Sequence, residues 1–245
     1  MRTRVGFTSI AIALTLSACG RQAVVETESA ARTMAGRPSP SVQCDGKVLD
    51  GESIQAEVNA CGAVEILVYP GTYRETITPK AGQKIRGVTE GASRPIIKGS
   101  NVIAARNWVR EQTYWTIAHT PKTETDDRRW SKCQDNNNKI CLLRDQVFVT
   151  NASGKTTTLN QKATLGEVKT ADDFWVGNRK LYIMVDPTTT SQIEVTARDR
   201  WVDGTASPSD VEISNLVMMH ATNPSQSGAI QANGPRWTIS KNDLS

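Results

Sequence analysis

The sequence predicts an all-β protein that is built from repeated strand–turn–strand units, with one short helix in front of the first unit. The segment VEILVYPGTYRETITPKAGQKIRGV (64–88) contains two runs of β-forming residues, and Pro70-Gly71 breaks the first. Similar strands recur along the chain: Ile85 follows Ile66 by 19 residues, and WTIS at 237–240 follows VEIS at 211–214 by 26. Repetition at such spacing is typical of stacked structural units.

Residues 1–18 predict an export signal. Arg2 and Arg4 precede an apolar run at 5–16, which is shorter than the roughly 20 residues that span a bilayer. Small residues lead directly to Cys19. This stretch resembles the lipobox of bacterial lipoproteins, in which the cysteine is acylated and becomes the new N-terminus. The resemblance implies a lipid anchor on Cys19, a membrane as partner, and a place on the cell membrane or outer membrane facing the periplasm or exterior. The alternative is an ordinary signal peptide cleaved nearby.

Residues 19–42 predict a flexible tether between the anchor and a folded domain. The segment has few large apolar residues, and Pro38-Ser39-Pro40 would interrupt a helix. Loss of 1–18 removes two arginines, so the formal charge falls from +4 to +2. A nearly neutral mature chain offers no electrostatic basis for binding nucleic acid.

The remaining cysteines are Cys44, Cys61, Cys133 and Cys141. In an oxidising compartment four cysteines allow three pairings, and local pairing, Cys44–Cys61 with Cys133–Cys141, is the simplest. Free buried thiols are the alternative. A zinc site is not expected, because the chain has no Cys-x-x-Cys motif and only two histidines.

A two-turn helix is predicted within 50–62, because apolar residues lie at i, i+4 and i+7. These residues are Ile54, Val58 and Cys61. Ser53 or Asp50 can accept hydrogen bonds from the first free amides, and Gly62 can end the helix. So short a helix must pack on an apolar surface. The strand at 64–69 follows directly.

The series SIQAEVNA, strand, PGTYRETI resembles the N-terminal edge of the pectin-lyase-like right-handed parallel β-helices. In that superfamily the helix caps the open end of the solenoid, whose first coil would otherwise expose strand edges and core. The family's first-coil motif is matched by Gly71, Tyr73 and Glu75, to which the resemblance implies structural roles. It therefore implies a right-handed parallel β-helix with a capping α-helix. A β-sandwich is the competing interpretation.

The domain organisation follows from these signals. We expect the cap and first coils at 43–103, a β-rich insertion at 104–190 and further coils at 191–245. QIEVT (192–196) is predicted to be a coil strand. Within the insertion we predict a strand at 145–150 and a hairpin at 173–185 that turns at Gly177-Asn178. No terminal cap follows WTIS, so we also expect the β-helix to continue beyond Ser245 in a longer protein.

Several polar and aromatic residues are candidates for function, but none is selected by a motif. Acidic pairs and an Asn-rich segment could supply oxygen ligands for calcium, although adjacent acids in loops are usually solvated; we therefore expect no cofactor. The acidic pairs are Asp126-Asp127 and Asp172-Asp173, and the Asn-rich segment is DNNNK at 135–139. Groove-lining candidates are Arg198, Asp199, Arg200 and Asp203. His220 is expected to be structural. Trp108, Trp115 and Trp130 could stack on sugars, but we expect them to pack in the core or in the insertion instead, because each buries a large apolar area.

The resemblance to the β-helix superfamily covers about residues 44–100, and a weaker strand periodicity continues from residue 192. It predicts the fold but not the reaction, because one fold can support many functions. The catalytic motifs of the pectin methylesterases are missing, and the catalytic residues remain unknown. We expect an exported, lipid-anchored protein that binds or processes polysaccharide, as a lyase or glycoside hydrolase in its full-length form. We do not expect efficient catalysis from the chain as given, because no cluster of acids or bases is visible in 192–245. The alternatives are a non-catalytic surface module that binds glycan or protein, and an inactive fragment.

Overall fold

The computed structural model describes residues 43–122, 144–224 and 227–245. Over these residues the chain forms twenty strands, one α-helix and two short 3-10 helices. The predicted all-β class is confirmed. No helix among them is long and apolar enough to cross a membrane.

Helix α1 (Ile54–Ala60) begins at Ser53, whose hydroxyl accepts a hydrogen bond from the Ala56 amide at 3.1 Å. The helix prediction is confirmed, and Ser53 rather than Asp50 supplies the N-cap. The apolar stripe is buried as expected. The strands around the helix are β1 (Lys47–Val48), β2 (Glu65–Val68), β3 (Thr72–Tyr73), β4 (Lys84–Gly87) and β5 (Ile96–Lys98).

The central part of the chain forms two further sheets. Its strands are β6 (Ser100–Val102), β7 (Val109–Glu111), β8 (Tyr114–Ala118), β9 (Val147–Thr150), β10 (Thr156–Thr158), β11 (Asn160–Gln161), β12 (Asp173–Gly177), β13 (Lys180–Ile183) and β14 (Gln192–Thr196). The 3-10 helices are Ala105–Asn107 and Leu165–Glu167. One sheet, β10-β9-β14-β6, is antiparallel; the other, β11-β12-β13-β8-β7, is antiparallel except between β11 and β12.

The last strands return to parallel pairing. They are β15 (Val202–Asp203), β16 (Glu212–Ser214), β17 (Val217–Met219), β18 (Ile230–Gln231), β19 (Thr238–Ser240) and β20 (Asp243–Leu244). Three parallel sheets result: β1-β2-β4-β16-β19, β3-β5-β17-β20, and β15-β18 with a bridge from Ile77 to Val202. We call the first of these sheet A. Successive passes of the chain therefore stack in the same order in each sheet.

The register places equivalent side chains above one another along each sheet. In sheet A, one inward column contains Ile66, Ile85, Ile213 and Ile239. The 19- and 26-residue spacings in the sequence are thus one chain pass each. Inward residues of the parallel sheets share one apolar core with α1, whereas the two central sheets pack around a second core that includes Phe174, Leu181 and Ile193.

Two sequence predictions differ from the structure. Gln192–Thr196 is not a coil strand, because β14 pairs antiparallel with both β6 and β9 in the central part. The central sheets thus include strands on both sides of the expected 104–190 insertion. The hairpin of β12 and β13 is present, but its turn is Asn178-Arg179, since Gly177 pairs with Lys180. Asn178 and Arg179 have φ of 52° and 59°, as a tight hairpin turn requires.

Candidate functional site

A polar groove runs across the outer face of sheet A. Its volume is about 390 Å³, and it is lined by Arg86, Glu212, Ser214, Asn215, Ser240 and Lys241. Strand alternation explains the lining: Ile85, Ile213 and Ile239 point to the core, so Arg86, Ser214 and Ser240 in the next register positions point outwards. The groove therefore crosses three successive strands, β4, β16 and β19.

Arg86 lies between two carboxylates, of which Glu212 lines the groove and Glu65 lies on the neighbouring strand β2. Its guanidinium contacts Glu65 at 3.0 Å from one terminal nitrogen and Glu212 at 3.4 Å from the other. The Ser214 hydroxyl donates to the same Glu212 carboxylate at 2.9 Å. The side chain of Arg86 is 46% exposed, so its outer surface stays available to a ligand.

The end of the groove is held by backbone in the left-handed region. Asn215 and Lys241 both have φ of 58°. The Asn215 side-chain amide donates to the Gly87 carbonyl at 2.7 Å and to the Thr89 hydroxyl at 2.9 Å. A Cβ on Gly87 would lie 2.1 Å from the Asn215 carbonyl oxygen, so the close approach of these two strands depends on glycine.

The groove combines an arginine, carboxylate oxygens, hydroxyls, an amide and a lysine on a rigid sheet. Groups of this kind donate and accept hydrogen bonds over a few ångströms, as recognition of a hydroxyl-rich ligand requires. Metal binding has less support. Among the described residues, the one close grouping of metal-ligand side chains is Cys44, Glu57 and Cys61, and its two sulfurs are bonded to each other.

A second polar cluster lies where the central sheets meet the parallel stack. Glu194 on β14 is buried. Its carboxylate contacts the side chains of Arg74 at 3.0 Å, Lys98 at 2.7 Å and His220, through Nδ1, at 3.1 Å. Burial by itself raises the pKa of Glu194. Hydrogen bonds from His220, Arg74, Lys98 and Ser100 outweigh that effect and hold the pKa well below its ordinary value.

Ser100, His220 and Glu194 are brought together here, but not as a nucleophilic triad. A triad needs the serine on one ring nitrogen and the carboxylate on the other. Both Ser100 Oγ, at 3.2 Å, and Glu194 face the same Nδ1 of His220. The imidazole is buried and stacks on Phe148, with ring centroids 3.6 Å apart. The arrangement joins the central sheets to the parallel strands and agrees with a structural His220.

The residues of the first-coil motif surround α1. A Cβ on Gly71 would lie 2.4 Å from an Asp50 carboxylate oxygen. Tyr73 is buried, and its hydroxyl donates to the Tyr69 carbonyl at 2.8 Å. Burial, followed by the charges of Asp50, Glu52 and Glu75, raises the Tyr73 pKa to about 12. Glu75 accepts hydrogen bonds from the amides of Ile54 and Gln55.

Cys44 and Cys61 form a disulfide that ties the chain before β1 to the end of α1. This is the local pairing expected for these two residues. Cys19 and the Cys133–Cys141 pair lie outside the described residues, so these expectations stay predictions. The same is true of Asp126-Asp127, the DNNNK segment and Trp130.

The other candidate residues have structural partners. Asp173 is buried and pairs with Lys162 at 2.9 Å. The hydrogen bond from Lys162 lowers the Asp173 pKa to about 2, although burial acts in the opposite direction. Hydrogen bonds from the Lys169 and Thr170 amides and the Thr170 hydroxyl lower it further. Asp199 contacts Lys122 at 3.3 Å and Arg144 at 3.5 Å. Arg200 lies 3.9 Å from Asp203. Arg198 donates to Asn101 at 2.8 Å. None of these residues lines the groove.

Trp108 and Trp115 pack against the second core, as expected, and do not offer a ring face to a sugar. Trp108 is 5% exposed in the second core, and Trp115 packs against the same core with Arg110 over its ring. An aromatic cluster instead joins Trp175 and Tyr182, whose centroids are 5.1 Å apart, with Tyr114 edge-on to Tyr182. Trp175 lies opposite Tyr182 in the observed register. The predicted turn at Gly177-Asn178 would have placed Trp175 opposite Lys180, so the sequence prediction missed this pair.

Comparisons with known proteins bear on the fold. No family model matches the sequence, and a search of curated proteins finds no match. A solved structure of XylC in complex with xylose is similar to this chain, with a TM-score of 0.59 and 18% identity. The match covers 79% of this chain and 37% of the XylC chain. It shows a shared fold. This chain thus corresponds to well under half of that structure.

Proposed function

We propose that this protein is a carbohydrate-binding β-helix protein of the cell envelope. The observation that carries the proposal is the polar groove on sheet A, in which Arg86, the Glu212 carboxylate and two serine hydroxyls project from consecutive strands. A glycan offers hydroxyls along its length, so a groove that crosses stacked strands can bind several of its units.

We infer that the three parallel sheets are the coils of a right-handed parallel β-helix of the pectin-lyase-like class, with α1 as the cap. Two findings support this. The in-register pairs Ile66–Ile85 and Ile213–Ile239 stack one pass on the next, and the chain shares its fold with XylC, whose structure was solved with xylose. The second finding supports a carbohydrate ligand as well.

Binding can be tested with defined oligosaccharides. The full chain is titrated by calorimetry with xylo-oligosaccharides and with oligogalacturonides, which separate neutral from acidic glycans. Arg86→Ala is expected to weaken binding about tenfold or more, because a hydrogen bond to a charged group contributes about 1.5–3 kcal/mol. Arg106→Ala, on an exposed arginine away from the groove, should bind as the wild type does. Failure of both glycan series to bind would overturn the proposal for these ligands.

Catalysis is a second candidate function, and one observation favours it. Glu65 and Glu212 project from the same face of sheet A on either side of Lys84, which places their backbones about 9.6 Å apart at about 4.8 Å per strand. Both side chains reach towards Arg86 between them, which they contact at 3.0 and 3.4 Å, so their carboxyls lie closer together than their backbones. Inverting glycosidases hold two carboxyls about 6.5–9.5 Å apart. New reducing ends would indicate hydrolysis, and an ultraviolet-absorbing product would indicate elimination. Glu212→Gln should abolish either activity; turnover that survives this change would place the chemistry elsewhere.

We also propose that Cys19 carries the lipid that holds the protein at the membrane. The sequence of residues 1–19 is the support. Intact mass spectrometry of protein extracted from its native membrane should give a diacylated chain that starts at Cys19. Cys19→Ser is expected to appear in the soluble fraction. A native chain without lipid would disprove the anchor and leave the groove proposal unaffected.

A further inference from the structure

A cleft between α1 and the chain that leads into β1 is lined by three carboxylates. Its volume is about 330 Å³. The lining side chains are Asp45, Glu52 and Glu57, together with Gln43, Lys47, Val48, Ser53 and Ala56. Three acids and one lysine give the lining a net charge of −3 + 1 = −2. The cleft shares no lining residue with the polar groove on sheet A, so it is a separate site.

Glu57 is a buried carboxylate without a countercharge. It is 3% exposed, and no basic side chain in the described part of the chain forms an ion pair with it. Its Oε1 accepts the amides of Asp45 and Gly46, each at 2.8 Å, and lies 3.0 Å from the disulfide-bonded sulfur of Cys61. Its Oε2 has no hydrogen-bond partner within residues 43–122, 144–224 and 227–245. Burial of an ionised carboxylate is costly unless a positive charge pairs with it.

The two exposed carboxylates repeat this arrangement. Asp45 accepts the Lys47 amide at 2.8 Å through Oδ1, and Glu52 accepts the Leu49 amide at 2.7 Å through Oε2. Within the described ranges, the second oxygen of each has no partner, and neither residue forms an ion pair. Main-chain amides therefore hold one oxygen of every carboxylate in the cleft and leave the other oxygen available to a cation.

We propose that this cleft binds a calcium ion through Asp45, Glu52 and Glu57. A divalent cation balances the net charge of −2, and carboxylate oxygens are ligands that Ca²⁺ prefers. Calcium takes about six to eight oxygens in flexible geometry, so the Gln43 amide oxygen, the Ser53 hydroxyl and water can complete the set. Zinc fits less well, because the lining includes no histidine and the nearby sulfurs are bonded to each other.

Binding draws the exposed acids towards Glu57. The three free oxygens start farther apart than a bound ion needs, because the one grouping of acidic, histidine or cysteine ligand atoms within 4.8 Å among the described residues is Cys44, Glu57 and Cys61. Asp45 and Glu52 are exposed, so each can turn its free oxygen into the cleft while Glu57 stays in place. Sites that assemble in this way are weak, and we expect a Kd of about 10⁻⁴–10⁻³ M, as in extracellular calcium modules.

The ion joins the same two segments as the disulfide. Asp45 lies just before β1, Glu52 just before α1, and Glu57 within α1. The Cys44–Cys61 bond and the amide hydrogen bonds to Glu57 already connect these segments. Calcium adds a further connection, and it should stabilise the protein because the assembled ligand set exists only in the folded chain.

Calorimetric titration of the full chain with CaCl₂ tests the site, after a chelator has removed bound metal. Wild type should bind one ion, and Asp45→Asn and Glu52→Gln should each weaken binding about tenfold or more, because each loses a charged ligand. Both residues are exposed, so these variants should fold. Glu90→Gln, which changes an exposed acid outside the cleft, should bind as the wild type does. No saturable binding by the wild type, or equal affinity in all four proteins, would overturn the proposal.

The shift in Tm on addition of calcium separates a ligand role of Glu57 from a structural one. Calcium at about ten times its Kd should raise the wild-type Tm by about 3–6 °C. Glu57→Gln keeps an oxygen for the Asp45 and Gly46 amides and should lose this shift, whatever its own Tm. A Glu57→Gln variant that shows the full calcium shift would refute the ligand role.

Salt controls complete the test. NaCl at equal ionic strength should leave the Tm of the wild type nearly unchanged, and MgCl₂ should raise it less than CaCl₂ does, because Mg²⁺ demands near-ideal octahedral geometry. A shift with NaCl as large as the shift with CaCl₂ would mean general screening of the acids and would overturn the site. An equal shift with MgCl₂ would refute the assignment to calcium.

Discussion

The carboxylate of Glu75 accepts a hydrogen bond from the Ser53 hydroxyl at 2.8 Å, across 22 residues of sequence. It also accepts the amides of Ile54 at 2.7 Å and Gln55 at 3.0 Å, so that a residue just after β3 satisfies the start of α1. A carboxylate at a helix N-terminus also interacts favourably with the helix dipole. Helix α1 is therefore joined to the residues that follow β3 at its own first turn.

Replacement of Glu75 by alanine should lower the free energy of unfolding by about 1–2 kcal/mol, because the first amides of α1 lose their acceptor. Urea unfolding followed by circular dichroism measures this change. Glu65→Gln is the control: its partner Arg86 is exposed, and such pairs contribute about 0–1 kcal/mol. Equal stability of Glu75→Ala and wild type would mean that α1 does not depend on this contact.

Tyr73 should make the protein sensitive to alkali. Its pKa is about 12 in the folded chain and 10.0 ordinarily, so the unfolded state loses its proton first as pH rises. The stabilisation is complete below pH 10 and declines towards pH 12. Unfolding free energies measured from about pH 9 upwards should fall in wild type and fall less in Tyr73→Phe. Tyr114→Phe keeps Tyr73 and should retain the wild-type decline; a Tyr73→Phe profile parallel to wild type would contradict the assignment.

Glu194 should stabilise the junction between the central sheets and the coils. Glu194→Gln leaves Arg74 and Lys98 without their charged partner, and loss of one member of a buried pair costs about 3–5 kcal/mol. Since the folded pKa is depressed, the contribution is present above the ordinary glutamate pKa and is lost as pH falls below it.

Denaturant unfolding at neutral and acidic pH measures both effects for Glu194. Glu194→Gln should be less stable at neutral pH, and the difference from wild type should shrink in acid. Glu111→Gln removes a more exposed carboxylate paired with Lys180, and it should have the smaller effect at neutral pH. A constant difference at every pH would rule out the charge as the cause.

The Cys44–Cys61 disulfide closes a loop with a sequence separation of 17. Its removal in Cys44→Ser/Cys61→Ser should cost about 3 kcal/mol on the chain-entropy account. Thermal unfolding with and without reductant checks this. Reductant should lower the Tm of the wild type more than it lowers the Tm of the double variant. Any shift that reductant causes in the double variant comes from the other cysteines. Identical shifts would show that the bond does not contribute.

The sequence by itself determined the local elements and the spacing of the coils. Helix α1 is readable because its cap and apolar stripe lie close together in the chain, and the β12–β13 hairpin because its turn is short. The Ile66–Ile85 and Ile213–Ile239 pairs are readable because each pair is separated by a single pass of the chain, of 19 and 26 residues, with similar strand patterns at both ends.

Tertiary structure decided which strands pair over long distances and which polar groups meet. An alternating strand such as QIEVT has the same pattern whether its neighbour is parallel or antiparallel, so only packing assigns it to β6 and β9. Glu194 meets Arg74 across 120 residues, and Arg86 meets Glu212 across 126. No local spacing encodes such meetings, because they depend on how many residues the chain inserts between β4 and β16, which then pair directly.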